Sequence, residues 1–275
     1  MLRSVLIPAM LFLTVALPVR AEPSEEVDTL ARALALDELI AIMRQEGLDY
    51  GDELQADLFP GRGGDRWDAA VARIYDGGRM AGTLRDTLGA ELGDRDIGPL
   101  VEFFTSERGA RIIALEISAR RALLDPEVEE ASIARLEEMQ ADSAPRLDLI
   151  EDFVEANNLV EANVAGALNS NYAFYTGLAD GKAFDFELTE EQMLADVWSQ
   201  EPEIRDETRA WLFSYLAMAY APLSDEALEA YIELSETSQG KALNRALFAG
   251  FDEVFTRISR DLGLAAARFI AGQDI

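Results

Sequence analysis

The chemistry open to this chain is narrow, because it contains no histidine and no cysteine. That removes Ser-His-Asp and Cys-His nucleophiles, thiolate or imidazole zinc sites, and haem ligation through histidine. A catalyst would have to work with Asp, Glu, Lys, Tyr or Ser alone. One such motif is present: Ser238-Gln239-Gly240-Lys241 spells Ser-x-x-Lys, and Lys241 is one of two lysines, with Lys182. Enzymes that use this serine as a nucleophile also carry Ser-Asp-Asn and Lys-Thr-Gly motifs. Neither occurs here, so the segment reads as the capped start of a helix. Paired carboxylates could serve a glycosidase, but among 52 acidic residues a pair carries no weight without geometry. Oxygen ligands for calcium abound, yet no Asp-x-Asp-x-Asp-Gly loop appears. Pro60-Gly61-Arg62-Gly63-Gly64 lacks the Gly-Lys-Ser/Thr ending and the preceding strand of a phosphate loop, and reads as a connector. No catalytic residue, metal ligand or cofactor is therefore expected.

Binding chemistry has a better candidate. Ile150, Phe153, Val160, Val164, Leu168 and Tyr175 fall on one stripe at three- and four-residue steps, and Asn157 and Asn171 sit on the same stripe. A buried amide left without partners costs about 1–3 kcal/mol, so each asparagine must find partners. They fix helix register, or with Tyr172 and Tyr175 line a polar pocket for a small molecule, or the stripe faces solvent at those two turns.

The elements that would position these residues are helical. Ser24 is an N-cap, with Glu25 and Glu26 at the positive end of a helix dipole. Val27, Leu30 and Leu34 repeat at helical spacing, and a second set, Leu36 to Met43, is expected to end at Gly47. Trp67 to Tyr75 marks a helix broken at Gly77-Gly78. Asp125-Pro126 places a cap before a proline at the first helical position, and Pro145 must kink or restart its helix. Phe184-Asp185-Phe186-Glu187 is a lone alternating run, read as an extended connector. Thr189-Glu190-Glu191-Gln192 matches a capping box. Pro202 starts a helix that Pro222 stops, and the end of the chain is expected to be a frayed Ala-rich tail. The fold class is all-α: a multi-helix bundle of two related helical-hairpin units.

Those units rest on an internal repeat. Setting Gly109 on Gly240 aligns Leu92 with Leu223, Asp94 with Asp225, Glu102 with Glu233 and Ile112 with Leu243, without a gap. Each copy reads as an amphipathic helix, a tight break and a second helix. Ser106 or Thr237 would cap the second helix, and Gly109 or Gly240 would let its first turn approach the preceding helix closely. The breaks read Phe103-Phe104-Thr105-Ser106-Glu107-Arg108-Gly109 and Leu234-Ser235-Glu236-Thr237-Ser238-Gln239-Gly240. They resemble the motif aromatic-aromatic, any residue, Ser-Pro, any residue, Gly, which marks domain of unknown function 2059, a family of exported bacterial helical proteins. Neither copy has the proline, and the second lacks the aromatic pair. The resemblance implies an all-helical fold and export, and carries no catalytic residue.

Arg3, the apolar run Val5 to Leu17 and the small-x-small signal Val19-Arg20-Ala21 read as a signal peptide, residues 1–21, cleaved after Ala21. A helical unit over 22–145 and a second over 146–275 are expected to follow, in the periplasm or secreted. No later run is long enough to span a bilayer, so an integral membrane protein is not expected. The net charge of −28 repels nucleic acid and anionic membranes. The function expected is non-enzymatic: binding or scaffolding of another envelope protein, or, through the asparagine pocket, capture of a small molecule.

Overall fold

The structure is a computed structural model that describes residues 25–184 and 189–272. The proposed leader, the Ser24 cap and residues 185–187 of the alternating connector lie outside that set. Among the described residues there are thirteen helices and no strand, so the all-α bundle is the observed fold.

The first half holds α1 (Glu25–Ala33), α2 (Leu36–Leu58), α3 (Asp65–Ile74), α4 (Gly77–Leu92), α5 (Gly98–Thr105), α6 (Glu107–Ala122) and α7 (Pro126–Ala141). Their ends follow local chemistry. Asp76 accepts from Arg79 N at 2.8 Å and starts α4 on the glycine pair. Asp125 accepts from Glu127 N at 3.0 Å, with Pro126 as the first helical residue of α7. The second half holds α8 (Arg146–Ala156), α9 (Leu159–Asp180), α10 (Glu190–Ser199), α11 (Glu201–Tyr220), α12 (Asp225–Glu236) and α13 (Ser238–Ile270). The Thr189–Gln192 capping box forms with both of its reciprocal bonds. Pro145 restarts the chain, after Ser143 takes a positive φ of 49°.

Three sequence expectations are corrected. Gly47 does not end a helix; α2 runs through it and through Gly51. These two glycines, one turn apart, form a seat for α3. A Cβ on Gly47 would lie 2.1 Å from the Tyr75 ring, and one on Gly51 would lie 2.7 Å from Val71. Trp67 Nε1 completes the seat by donating to the Gly51 carbonyl at 2.7 Å. Second, the stripe from Ile150 to Tyr175 is not one helix. The chain turns at Asn157-Asn158, where Asn158 holds a φ of 51° that asparagine tolerates better than most residues. Third, the Ala-rich end is ordered helix: Leu262, Ala266 and Ala267 are at most 1% exposed.

That last correction follows from how α9 and α13 pack. A Cβ on Gly177 would meet the Arg260 carbonyl at 2.2 Å, and one on Gly263 would meet the Phe174 carbonyl at 2.2 Å. Gly181 faces Ala267 in the same way. Small residues at four-residue steps on both helices bring the backbones into contact. Asn244 Nδ2 donates to Asn157 O at 2.6 Å, Asn169 Nδ2 to Asp252 at 2.8 Å, and Arg260 to Asp180 at 2.5 Å. Both numberings climb together, so the two helices run in the same direction. Across its other face α13 meets α4, with Leu84 against Gly250 and Thr87 Oγ1 donating to Glu253 at 2.6 Å.

The buried apolar residues form two clusters. One joins α1 to α5 with the length of α13. The other joins α6, α7, α8, α9 and α11 with Val197 of α10 and Leu228 of α12. The clusters do not divide at residue 145, because α13 returns to the first half. Phe59 stacks on Phe269 and Trp67 meets both edge-on, with centroids 5.0–5.6 Å apart, and Arg62 of the glycine-rich connector donates to Ile270 O at 3.3 Å. That connector clasps the end of α13.

Candidate functional site

Between the two clusters lies a cavity of about 880 Å³. α2, α5 and α6 line one side, and α8, α9, α11, α12 and α13 the other. α9 presents mostly small side chains where it crosses this space: Ala162, Ala165, Gly166, Ala167 and Ser170 line it, beside Leu159, Asn163 and Asn169. A Cβ on Gly166 would have no atom within 4 Å. The same helix that closes tightly on α13 at Gly177 leaves room at Gly166. Met43, Leu216, Leu247, Phe248, Phe251 and Phe255 make the wall largely apolar.

One polar cluster is set into that wall. Tyr220 OH donates to Glu116 Oε1 at 2.7 Å, and Tyr215 OH donates to the Glu116 carbonyl at 3.2 Å. Glu116 lies deep in the protein yet keeps accessible surface, because it lines the cavity. Burial raises its carboxyl from the ordinary 4.5 to about 7, and the Tyr220 bond opposes that rise. Burial, and then the Glu116 charge, push Tyr215, Tyr220 and Tyr231 upward. Arg120, one turn along α6, is held by Glu46 through two bonds at 2.8 and 2.7 Å, and its guanidinium lies 4.8 Å over the Trp211 ring. A carboxyl with a pKa near neutrality in an apolar cavity is a marker of functional sites. Here it can accept a hydrogen bond, pair with a cation or exchange one proton.

The residues singled out in the sequence are dispersed. Asn157 lines the cavity, but its amide is turned back to Phe153 O at 3.0 Å. Asn171 donates to Gln200 Oε1 at 2.9 Å and ties α9 to the α10–α11 junction. Tyr172 OH donates to Glu190 at 3.3 Å, and Tyr175 packs against the second apolar cluster. None of these last three is among the cavity's lining residues, which corrects the four-residue pocket. The break at Asn157-Asn158 rotates the second half of the stripe away from the first.

Sequence reasoning missed Glu116, Arg120, Tyr215 and Tyr220. A signal for the first was available. Gly109, Ile112, Ile113 and Glu116 share one helical face, and the repeat sets Glu116 opposite the apolar Leu247. A carboxylate on a buried stripe, where the paired copy keeps leucine, marks a departure.

The hinge residues stand as follows. Ser106 Oγ accepts from Gly109 N at 3.1 Å, and Thr237 Oγ1 accepts from Gly240 N at 2.9 Å. Gly240 lines the cavity, as does Phe104 beside the first hinge. Among the described residues no group of three or more acidic side chains is placed to hold a metal ion, and no helix is long and apolar enough to cross a membrane. No protein-family model, no curated protein and no solved structure matches this chain.

Proposed function

We propose that this chain is an exported, non-enzymatic binding protein whose cavity takes one small molecule with a large apolar part. The observation that carries this reading is the cavity itself. At about 880 Å³ it falls in the range of small-molecule sites, roughly 300–1,000 Å³, and it has their make-up of apolar walls with a few converging polar groups. Export rests on the signal-like sequence over residues 1–21 and on the resemblance of the two breaks to the family of exported helical proteins. A scaffold would call for a continuous exposed apolar patch of a few hundred Å². Among the described residues the large apolar side chains left exposed are Tyr50, Leu58, Leu124, Ile133, Leu194 and Trp198, which favours the cavity over the surface as the binding element.

The test is occupancy of the cavity by an environment-sensitive apolar fluorophore. It should bind once per chain, and Gly166→Trp, which projects into the open space, should abolish the signal while the helical circular dichroism spectrum is kept. A fluorophore that fails to bind, or that binds the filled variant equally well, would overturn the reading.

A further inference from the structure

We infer that the cavity's preferred occupant is a lipophilic amine, an apolar body bearing one ammonium group that pairs with Glu116. This rests on the cavity reading above and narrows it to a ligand class. Three charged side chains line the cavity: Glu116, Arg120 and Asp252. Arg120 is neutralised by Glu46 through two hydrogen bonds, and Asp252 accepts from Asn169 Nδ2 in an exposed contact where water screens its charge. Glu116 forms no ion pair with a described residue, and only its Oε1 accepts a hydrogen bond, from Tyr220. Its Oε2 is left for a ligand. A buried carboxylate without a counter-charge is costly, and an ammonium beside it removes that penalty.

The surroundings favour a cation as well. Phe153, Tyr215, Tyr220 and Tyr231 line the cavity, and Trp211 there already carries the Arg120 guanidinium 4.8 Å over its ring. Aromatic faces attract cations. A net charge of −28 draws cations in and repels anions. A carboxylate-headed ligand would meet Glu116 as a like charge, and a neutral head would leave it uncompensated.

Binding of the amine should weaken as pH falls and Glu116 takes up a proton. The groups facing Glu116 are Tyr215 and Tyr220 from α11, Tyr231 from α12, and Arg120 on its own helix with Glu46 from α2. The tyrosines are pushed up and stay protonated through neutrality, so their state does not change across that range.

The experiment is calorimetry of the full chain with decylamine, decanol and decanoate, below their micelle concentrations, at about pH 8 and in raised salt to screen the surface charge. Decylamine should bind once per chain and on the order of 30-fold more tightly than decanol. Glu116→Gln should bring the amine to the level of the alcohol and leave the alcohol unchanged. Decanol or decanoate binding as tightly as decylamine, or an amine preference that survives Glu116→Gln, overturns the inference and leaves the cavity reading standing. Failure of all three probes overturns both. If Glu116→Gln does not fold, the native chain supplies the test: from about pH 8 to about pH 5, decylamine should lose most of its advantage while decanol holds, and a constant advantage overturns the inference.

Discussion

The hinge between α5 and α6 and the hinge between α12 and α13 have nearly the same local geometry and unlike consequences. Ser106 has φ −68° and ψ 162°; Thr237 has −64° and 162°. Each hydroxyl accepts from the glycine three residues on, and each donates 2.6 Å to a carbonyl three residues back, Phe103 O or Leu234 O. A Cβ on either glycine would stand 2.1 Å from that same carbonyl oxygen. Beyond the hinge the copies part. α6 has 16 residues and α13 has 33. Seven residues past the glycine stands Glu116 in one copy and Leu247 in the other; four further stand Arg120 and Phe251. All four line the cavity. The comparison teaches that a hinge can be set by three or four residue types while the helix after it is free to take a different role. Here one copy supplies the polar side of a cavity and the other an apolar side.

The strongest way to break the comparison is at the glycines. Gly109→Val and Gly240→Val should each destabilise by about 4 kcal/mol or more, since backbone atoms and not flexible side chains stand in the way. Thermal melts of both variants check this, and a tolerated valine at one hinge alone would show that the close approach matters in only one copy.

The next test exchanges the chemistry across the copies. Leu247→Glu places a second carboxylate in the apolar wall and should destabilise by about 2–4 kcal/mol at about pH 8 and by less at about pH 5, where the carboxyl is protonated. Denaturant unfolding at the two pH values measures it.

Glu116→Gln probes the other side with the opposite sign. The folded pKa of Glu116 lies above its unfolded value, so the folded state binds the extra proton between 4.5 and about 7. Stability is therefore lost as pH rises through that window. The variant should be more stable than the parent at about pH 8, by at most about 3 kcal/mol given that the group is partly accessible through the cavity, and equal to it at about pH 4. A pH-independent difference would remove the account of Glu116 as a buried, ionising group.

The smallest effect is expected at the caps. Ser106→Ala and Thr237→Ala should each destabilise by about 1 kcal/mol. A difference between them much larger than that would sharpen the contrast, by showing that one cap is backed by its tertiary surroundings.

Much of the architecture was legible from local patterns. Asp125 and Thr189 start helices because a short side-chain acceptor next to an orphaned N–H satisfies it without help from distant residues. The hinge glycines were legible because the repeat gave two independent readings of one geometry. Gly47 was misread because a glycine that ends a helix and one that seats a neighbouring helix look alike until Tyr75 is in place. The Ala-rich end was misread for a related reason. Alanines at four-residue steps offer little apolar area alone, and they become core only when Gly177 and Gly181 bring α9 against them.

The candidate site belongs to this second kind. Asn157 and Asn171 share a stripe in the sequence, but one residue at positive φ, Asn158, divides them into separate helices. Glu116 and Tyr220 are 104 positions apart, and nothing in the spacing of either announces the other. What the order of residues decided by itself is what short-range forces decide: helical periodicity, caps, the two hinges, and the lack of imidazole and thiol chemistry. What only the folded chain decided is the cavity, because the small residues of α9 leave empty space only once helices distant in the chain are placed around them. The environment of Glu116 was decided in the same way, because a carboxylate's affinity for its proton depends on how much water the surrounding helices have displaced.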